Sequence, residues 1–204
     1  MQEKAHLIGI TGGIGSGKSL VCKIFSTLGI PVFEADLRAK LLMNNDLVLK
    51  EQIIGLLGPE AYSFSSLLQK DEYNRAWVAS KVFNNPVLLQ ELNQLVHPRV
   101  RKDASDWIEA QHGIPYILYE AALMKAAGNG NSFQKVIVVN APVELRIKRV
   151  KSRDNRPEEE ILNIIKRQIS EEERLGFADF VIKNDDKSPV IDQVLELHQK
   201  LLTL

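Results

Sequence analysis

Leu7-Ile8-Gly9-Ile10-Thr11-Gly12-Gly13-Ile14-Gly15-Ser16-Gly17-Lys18-Ser19 joins a short apolar run to a glycine-rich segment ending in Gly-Lys-Ser. Gly12, Gly17, Lys18 and Ser19 fill every fixed position of G-x-x-x-x-G-K-[ST]. The context agrees, with a buried strand before the segment and a helical pattern from Lys18 to Leu28 after it. Glycines let backbone N–H groups turn inward around phosphate oxygens, and the new helix adds its positive end. Lys18 is expected at the β and γ phosphates and the Ser19 hydroxyl at Mg²⁺. The motif implies nucleotide binding and leaves the reaction open.

Outward from this loop, four more apolar runs read as strands: Pro31–Glu34, Tyr116–Tyr119, Lys135–Asn140 and Phe180–Ile182. Strands alternating with helical patterns predict an α/β fold, a parallel five-stranded sheet with helices on both faces. Ligands of such sheets bind beyond the carboxyl ends of the strands, so residues just after each run are the first site candidates.

The pattern changes between residues 37 and 112, where apolar residues recur at helical spacing and no strand is evident. The expectation is an all-helical insertion, broken at Gly58-Pro59. His97-Pro98 disfavours a regular helix through His97. Residues 141–175 are helical and charged. Pro157 followed by Glu158, Glu159 and Glu160 marks a helix start, and Ser170 with Glu173 has the spacing of a capping box. One domain over 1–204 results, with a core (1–36, 113–140, 176–204), a helical insertion (37–112) and a charged helical segment (141–175).

Composition narrows the class. In 204 residues, 26 Lys+Arg balance 26 Asp+Glu, and 45% of residues are hydrophobic. That is a globular composition, and zero net charge argues against a broad polyanionic partner, whether nucleic acid or membrane. A single cysteine, Cys22, excludes an internal disulfide and a cysteine-rich zinc site; it reads as a core residue. No signal peptide or membrane-length apolar run is seen, so a cytoplasmic protein is expected.

Asp36 follows the second strand. Two readings fit it: a base that takes a proton from an attacking hydroxyl, or the N-cap of the helix starting near Leu37. Glu34, two residues earlier on the same strand face, is a weaker candidate for the same role. Glu120 ends the third strand, suited to a Mg²⁺-bound water or to a structural cap. Arg146, Lys148, Arg149, Lys151 and Arg153 crowd together. No aromatic residues are interleaved for base stacking, so a solvated helix face or a phosphate-binding lid remains. Arg149 and Arg153 lie four apart, on one helix face.

Thr11–Ser19 followed by Leu28-Gly29-Ile30-Pro31-Val32 and Ala35-Asp36-x-x-x-Lys40 resembles the dephospho-coenzyme A kinase family. The similarity continues in family order at Leu95-Val96-His97-Pro98, Lys148-Arg149-x-x-x-Arg153-Asp154, Gln168 and Ala178-Asp179-Phe180-Val181-Ile182-x-Asn184, over nearly the whole chain. The resemblance implies transfer of the ATP γ-phosphate to the ribose 3′-hydroxyl of dephospho-coenzyme A, the last step of coenzyme A synthesis. ATP–Mg²⁺ is then expected on Gly13, Ile14, Gly15, Ser16, Gly17, Lys18, Ser19 and Leu20, and dephospho-coenzyme A between core and insertion. It makes Asp36 the general base and the 141–175 segment a lid whose Arg149 and Arg153 contact phosphate. Lys40, where the family often has Arg, is either a substrate-phosphate contact or a solvated lysine. His97 falls in the substrate region, and Asn184 fits either an adenine contact or a turn.

Some positions depart from the family pattern. Leu20 replaces a common Thr, Glu34 a usual Asp, and Glu120-Ala121-Ala122-Leu123-Met124 a Pro-Leu-Leu segment with a later acid, whose approximate place Ala126 takes. The alternatives are another small-molecule or nucleoside monophosphate kinase, or a nucleotide-dependent protein-binding switch.

Overall fold

Alternating apolar residues set the two faces of the central sheet. In the computed structural model, Ile8, Ile10, Tyr116, Leu118, Ile137, Val139 and Ile182 face one side, where they pack with Val21, Phe25, Val194 and Leu197. Val136 and Val138 face the other, with Met124 and half-buried Leu175 and Phe177. This two-residue period is that of strands covered on both sides. The structure describes residues 5–83, 85–122, 124 and 126–204. Leu123, within the stretch that departs from the family pattern, lies outside them.

The chain forms two compact units, Met1–Glu34 with Gln111–Leu204, and Ala35–Ala110. The first opens with β1 (His6–Thr11), α1 (Lys18–Thr27) and β2 (Val32–Glu34). The second holds α2 (Ala35–Asn45), α3 (Leu47–Leu57), β3 (Tyr62–Ser65), β4 (Lys70–Tyr73), α4 (Arg75–Val82) and α5 (Pro86–Glu109). The first unit then resumes with β5 (Tyr116–Glu120), β6 (Lys135–Asn140), α6 (Val143–Asp154), α7 (Glu158–Arg167), α8 (Glu171–Gly176), β7 (Phe180–Lys183) and α9 (Val190–Leu201).

The sheet order is β2-β5-β1-β6-β7, all parallel. All five strand expectations hold to within one residue at each end. Because the strands are parallel, the loop after β1 and the residues ending β2, β5 and β7 share one end of the sheet. The order reverses about β1, and that crevice is where such sheets bind ligands.

The second unit corrects two expectations. It is not all-helical: β3 and β4 form an antiparallel hairpin, with Tyr62 opposite Tyr73 and their rings edge to face at 5.7 Å. Of its eight strand residues only Tyr62 is buried, so no apolar alternation marks it in the sequence. Helix α5 also continues across Pro98. Leu92, Val96, Val100 and Ala104 recur every fourth residue and are all buried. Burying that stripe, at up to about 1.5–3 kcal/mol for each large side chain, outweighs the proline's lost hydrogen bond. Gly58 ends α3, as the Gly-Pro pair predicts.

Candidate active site

The turn from β1 into α1 is built on glycines that nothing else replaces. Gly15 and Gly17 have φ of 76° and 93°, left-handed values that penalise any side chain. A Cβ on Gly17 would lie 2.1 Å from the Asn184 amide nitrogen, and one on Gly13 2.3 Å from the Arg146 guanidinium. The Ser16 amide donates to the Gly13 carbonyl and the Val21 amide to that of Gly17, which closes the loop onto the helix. Among the described residues, no protein acceptor takes the amides of Gly15, Gly17, Lys18 or Ser19. Unclaimed donors at a helix N-terminus form an anion cradle.

Two helices of the 141–175 segment hold this loop by one peptide. Arg146, on α6 and 3% exposed, donates from Nε to the Ile14 carbonyl at 2.9 Å. Gln168, just after α7, accepts from the Ile14 amide at 3.0 Å, and the Arg146 guanidinium reaches the same oxygen at 3.4 Å. Burial pulls the Arg146 guanidinium below its ordinary pKa, and Glu171, 3.9 Å away, partly offsets this. Arg174 on α8 is equally buried; burial and then Arg146 lower its pKa. Glu171 and Glu173 partly offset the repulsion between these two buried guanidinium groups.

Asn184 and Arg149 form a second brace. The buried Asn184 side chain donates to the Ser16 carbonyl at 2.8 Å. Arg149 donates to the Asn184 carbonyl at 3.1 Å, to its Oδ1 at 3.2 Å and to Asp186 at 2.5 Å. Both residues expected at nucleotide groups are thus engaged with the loop's support. Arg153 forks onto Asp154 at 2.7 and 2.8 Å on an exposed surface, and that pairing lowers the Asp154 pKa. Ser19 and Leu20 are exposed at the start of α1.

Lys18 Nζ lies 3.4 Å from Glu120, whose side chain is 10% exposed. Glu34 is the register partner of Glu120 across β2 and β5, so two carboxylates end adjacent strands. Their field adds to burial in pushing the Cys22 thiol up to about 12. No cluster of three or more metal-ligating side chains occurs among the described residues. Mg²⁺ needs no such cluster: it keeps several waters and is completed by substrate phosphates. The Ser19 hydroxyl with Glu120 fits that donor set.

In the second unit, Asp36 sits in the first turn of α2 rather than at its N-cap. Its carboxylate is exposed and, among the described residues, has no hydrogen-bond or ion-pair partner. Asp36 and Lys40 both line a cavity of about 540 Å³ within this unit. His97 lines a separate groove along α5, beside Gln94 and Arg101. In the sequence Arg146 is one cation of the basic run, and its burial leaves no signal there. Gln168 was visible only as a family position.

The family model described as dephospho-CoA kinase matches residues 6–189. The dephospho-CoA kinase of Pasteurella multocida is 37% identical over 205 residues, 98% of this chain and 96% of that one. Among solved structures, TT1252 from Thermus thermophilus aligns over 98% of both chains with a TM-score of 0.81 and 28% identity. The dephospho-CoA kinase from Campylobacter jejuni aligns over 98% of both with a TM-score of 0.61 and 26% identity.

Proposed function

Since the chain belongs to the dephospho-CoA kinase family and uses ATP to phosphorylate dephospho-CoA in the final step of coenzyme A biosynthesis, we propose how its own residues divide that work. The observation that carries this reading is the loop at Gly13–Ser19, with four amides unclaimed by protein around Lys18. Those amides hold the β and γ phosphates of ATP, and Lys18 moves from Glu120 toward the transferring group. Ser19 and, through water, Glu120 would hold Mg²⁺, which would supply positive charge against the phosphates.

Asp36 accepts the proton of the ribose 3′-hydroxyl as that oxygen attacks the γ-phosphorus in line. A phosphate monoester forms and ADP departs with the electrons of the broken P–O bond. Asp36 follows Glu34 by two residues, and the chain leaves β2 at the same sheet end as the loop after β1. Its free carboxylate suits proton acceptance. Lys40, four residues on, faces the acceptor's phosphates. Arg146, Gln168, Arg149 and Asn184 hold the loop in its binding shape, and Arg149 turns to the γ-phosphate when the 141–175 segment closes. Arg153, released from Asp154, joins it there, and the adenine rests near Asn184. His97 contributes to the acceptor side from its groove on α5. No helix among the described residues is long and apolar enough to cross a membrane. ATP dependence and a single free thiol suit the cytoplasm.

The test is ADP release from ATP with and without dephospho-CoA, with nucleoside monophosphates as control acceptors. Stimulation by dephospho-CoA alone is expected. Stimulation by a monophosphate instead would replace this reading with a nucleotide kinase, and slow release indifferent to any acceptor would replace it with a switch. Asp36→Asn should cut turnover at least a hundredfold with ATP affinity unchanged. Full turnover would remove Asp36 from the base role.

A further inference from the structure

The hold on Arg149 is tighter than three hydrogen bonds suggest. Its Nη1 donates to the Asn184 carbonyl at 3.1 Å, and its Nη2 donates twice, to Asn184 Oδ1 at 3.2 Å and to Asp186 Oδ1 at 2.5 Å. A guanidinium grips an oxyanion through adjacent N–H groups, either Nη1 with Nη2 or Nε with Nη2. Arg38 on Asp103 and Arg153 on Asp154 both use the Nε–Nη2 pair. Either grip needs an Nη2 hydrogen, and Arg149 has committed both of its own. It therefore offers a phosphate no paired donors until one of these bonds breaks.

Only one of the three acceptors is charged. The two Asn184 oxygens are neutral, and Asn184 is anchored separately by its own bond to the Ser16 carbonyl. The Asp186 carboxylate alone answers the charge of the guanidinium here, and its side chain is 61% exposed. Its backbone is held at a φ of 62°, a left-handed value that disfavours a side chain. Asp185 shapes the turn around it, accepting from the Lys187 and Ser188 amides at 3.0 and 2.7 Å. A turn that only had to leave β7 would be better served by glycine at 186. An exposed ion pair is weak, so the more highly charged γ-phosphate can take the arginine over.

We propose that Asp186 is a positioning residue for Arg149, keeping both guanidinium grips closed until the γ-phosphate of ATP claims them. This rests on the reading of Arg149 as a γ-phosphate contact and adds to it the group that Arg149 must leave. The strength of the Arg149–Asp186 pair is subtracted from the binding of ATP. Asp186 thus sets ATP affinity without touching the nucleotide, and ADP, which has no γ-phosphate, leaves the pair intact.

The experiment is calorimetric titration with Mg–ATP and with Mg–ADP, beside turnover with dephospho-CoA. The proteins are wild type, Asp186→Asn, Asp186→Gly, Asp186→Glu, Arg149→Gln and the double variant Arg149→Gln with Asp186→Asn. Asp186→Asn should tighten ATP binding about two- to fivefold, the worth of an exposed ion pair, and leave ADP binding unchanged. Asp186→Gly relieves the left-handed backbone and should give the same tightening with no loss of Tm, which a folding defect would not. Asp186→Glu keeps the charge and should stay nearer wild type. With Arg149→Gln in place, Asp186→Asn should alter neither affinity. ATP affinity unchanged or weakened in both Asp186→Asn and Asp186→Gly overturns the proposal. Equal tightening for ADP, or the same tightening without Arg149, overturns it too, because either marks a general charge effect. Wild-type turnover in Arg149→Gln would instead overturn the phosphate role of Arg149 on which the proposal rests.

Discussion

Arg146 offers the sharpest test of how the phosphate loop is held. In Arg146→Ala the 2.9 Å bond to the Ile14 carbonyl is lost. A charged donor on a neutral carbonyl contributes about 1.5–3 kcal/mol, and Ile14 is half-buried, so water recovers part of it and the lower figure applies. Two stem methylenes leave a packed site, adding about 1.6 kcal/mol at about 0.8 kcal/mol each. Relief of the like charge on Arg174 offsets some of this. The net loss is about 2–3 kcal/mol, and at about 2–4 °C per kcal/mol for a chain of this size Tm should fall by about 5–10 °C. Arg146→Met keeps the stem and loses only the bonds, so its Tm should fall by about half as much. Both variants free the Ile14 peptide from α6, so both should raise the KM for ATP about tenfold, equivalent to about 1.4 kcal/mol, with the KM for dephospho-CoA little changed. Thermal denaturation beside a two-substrate kinetic grid reads all of this. An Arg146→Met enzyme with a wild-type KM for ATP would refute the idea that Arg146 positions the loop, and would leave it a packing residue.

Three further expectations concern other parts of the molecule. Gly17→Ala places a Cβ against the Asn184 amide at a φ of 93°, so nucleotide binding measured by calorimetry should drop at least a hundredfold while circular dichroism stays native. The Cys22 thiol is raised to about 12, so the folded protein should resist iodoacetamide at pH 8–9 and react once unfolded. By the same shift, this thiol's contribution to stability is complete below pH 9 and declines as pH rises from 9 toward 12, because only the unfolded chain releases the proton there; Cys22→Ala should flatten that part of a denaturant-midpoint profile. Pro98→Ala restores an amide to the exposed side of α5 and should stabilise the chain by about 1–3 kcal/mol, read as a higher urea midpoint. An unchanged midpoint would mean that the helix has already relaxed around the proline.

Sheet, loop and family were all legible in the order of the residues. Apolar runs such as Val136–Val139 within β6 are legible because a strand buried on both faces is filled with apolar residues, and the glycine spacing is legible because left-handed turns strongly favour glycine. Polar elements were not legible. The β3–β4 hairpin buries too little to leave a pattern, and the passage of α5 through Pro98 depends on what its stripe packs against. The same holds for the site. Asp36 and Lys18 stand out by position, but whether an arginine braces the loop or faces solvent depends on contacts between residues far apart in the chain. Arg146 meets Ile14 across 132 positions and Asn184 meets Ser16 across 168, while Arg153, from the same basic run as Arg146, turns to its neighbour Asp154. One-dimensional spacing gives these arginines equal standing; burial in three dimensions distinguishes them.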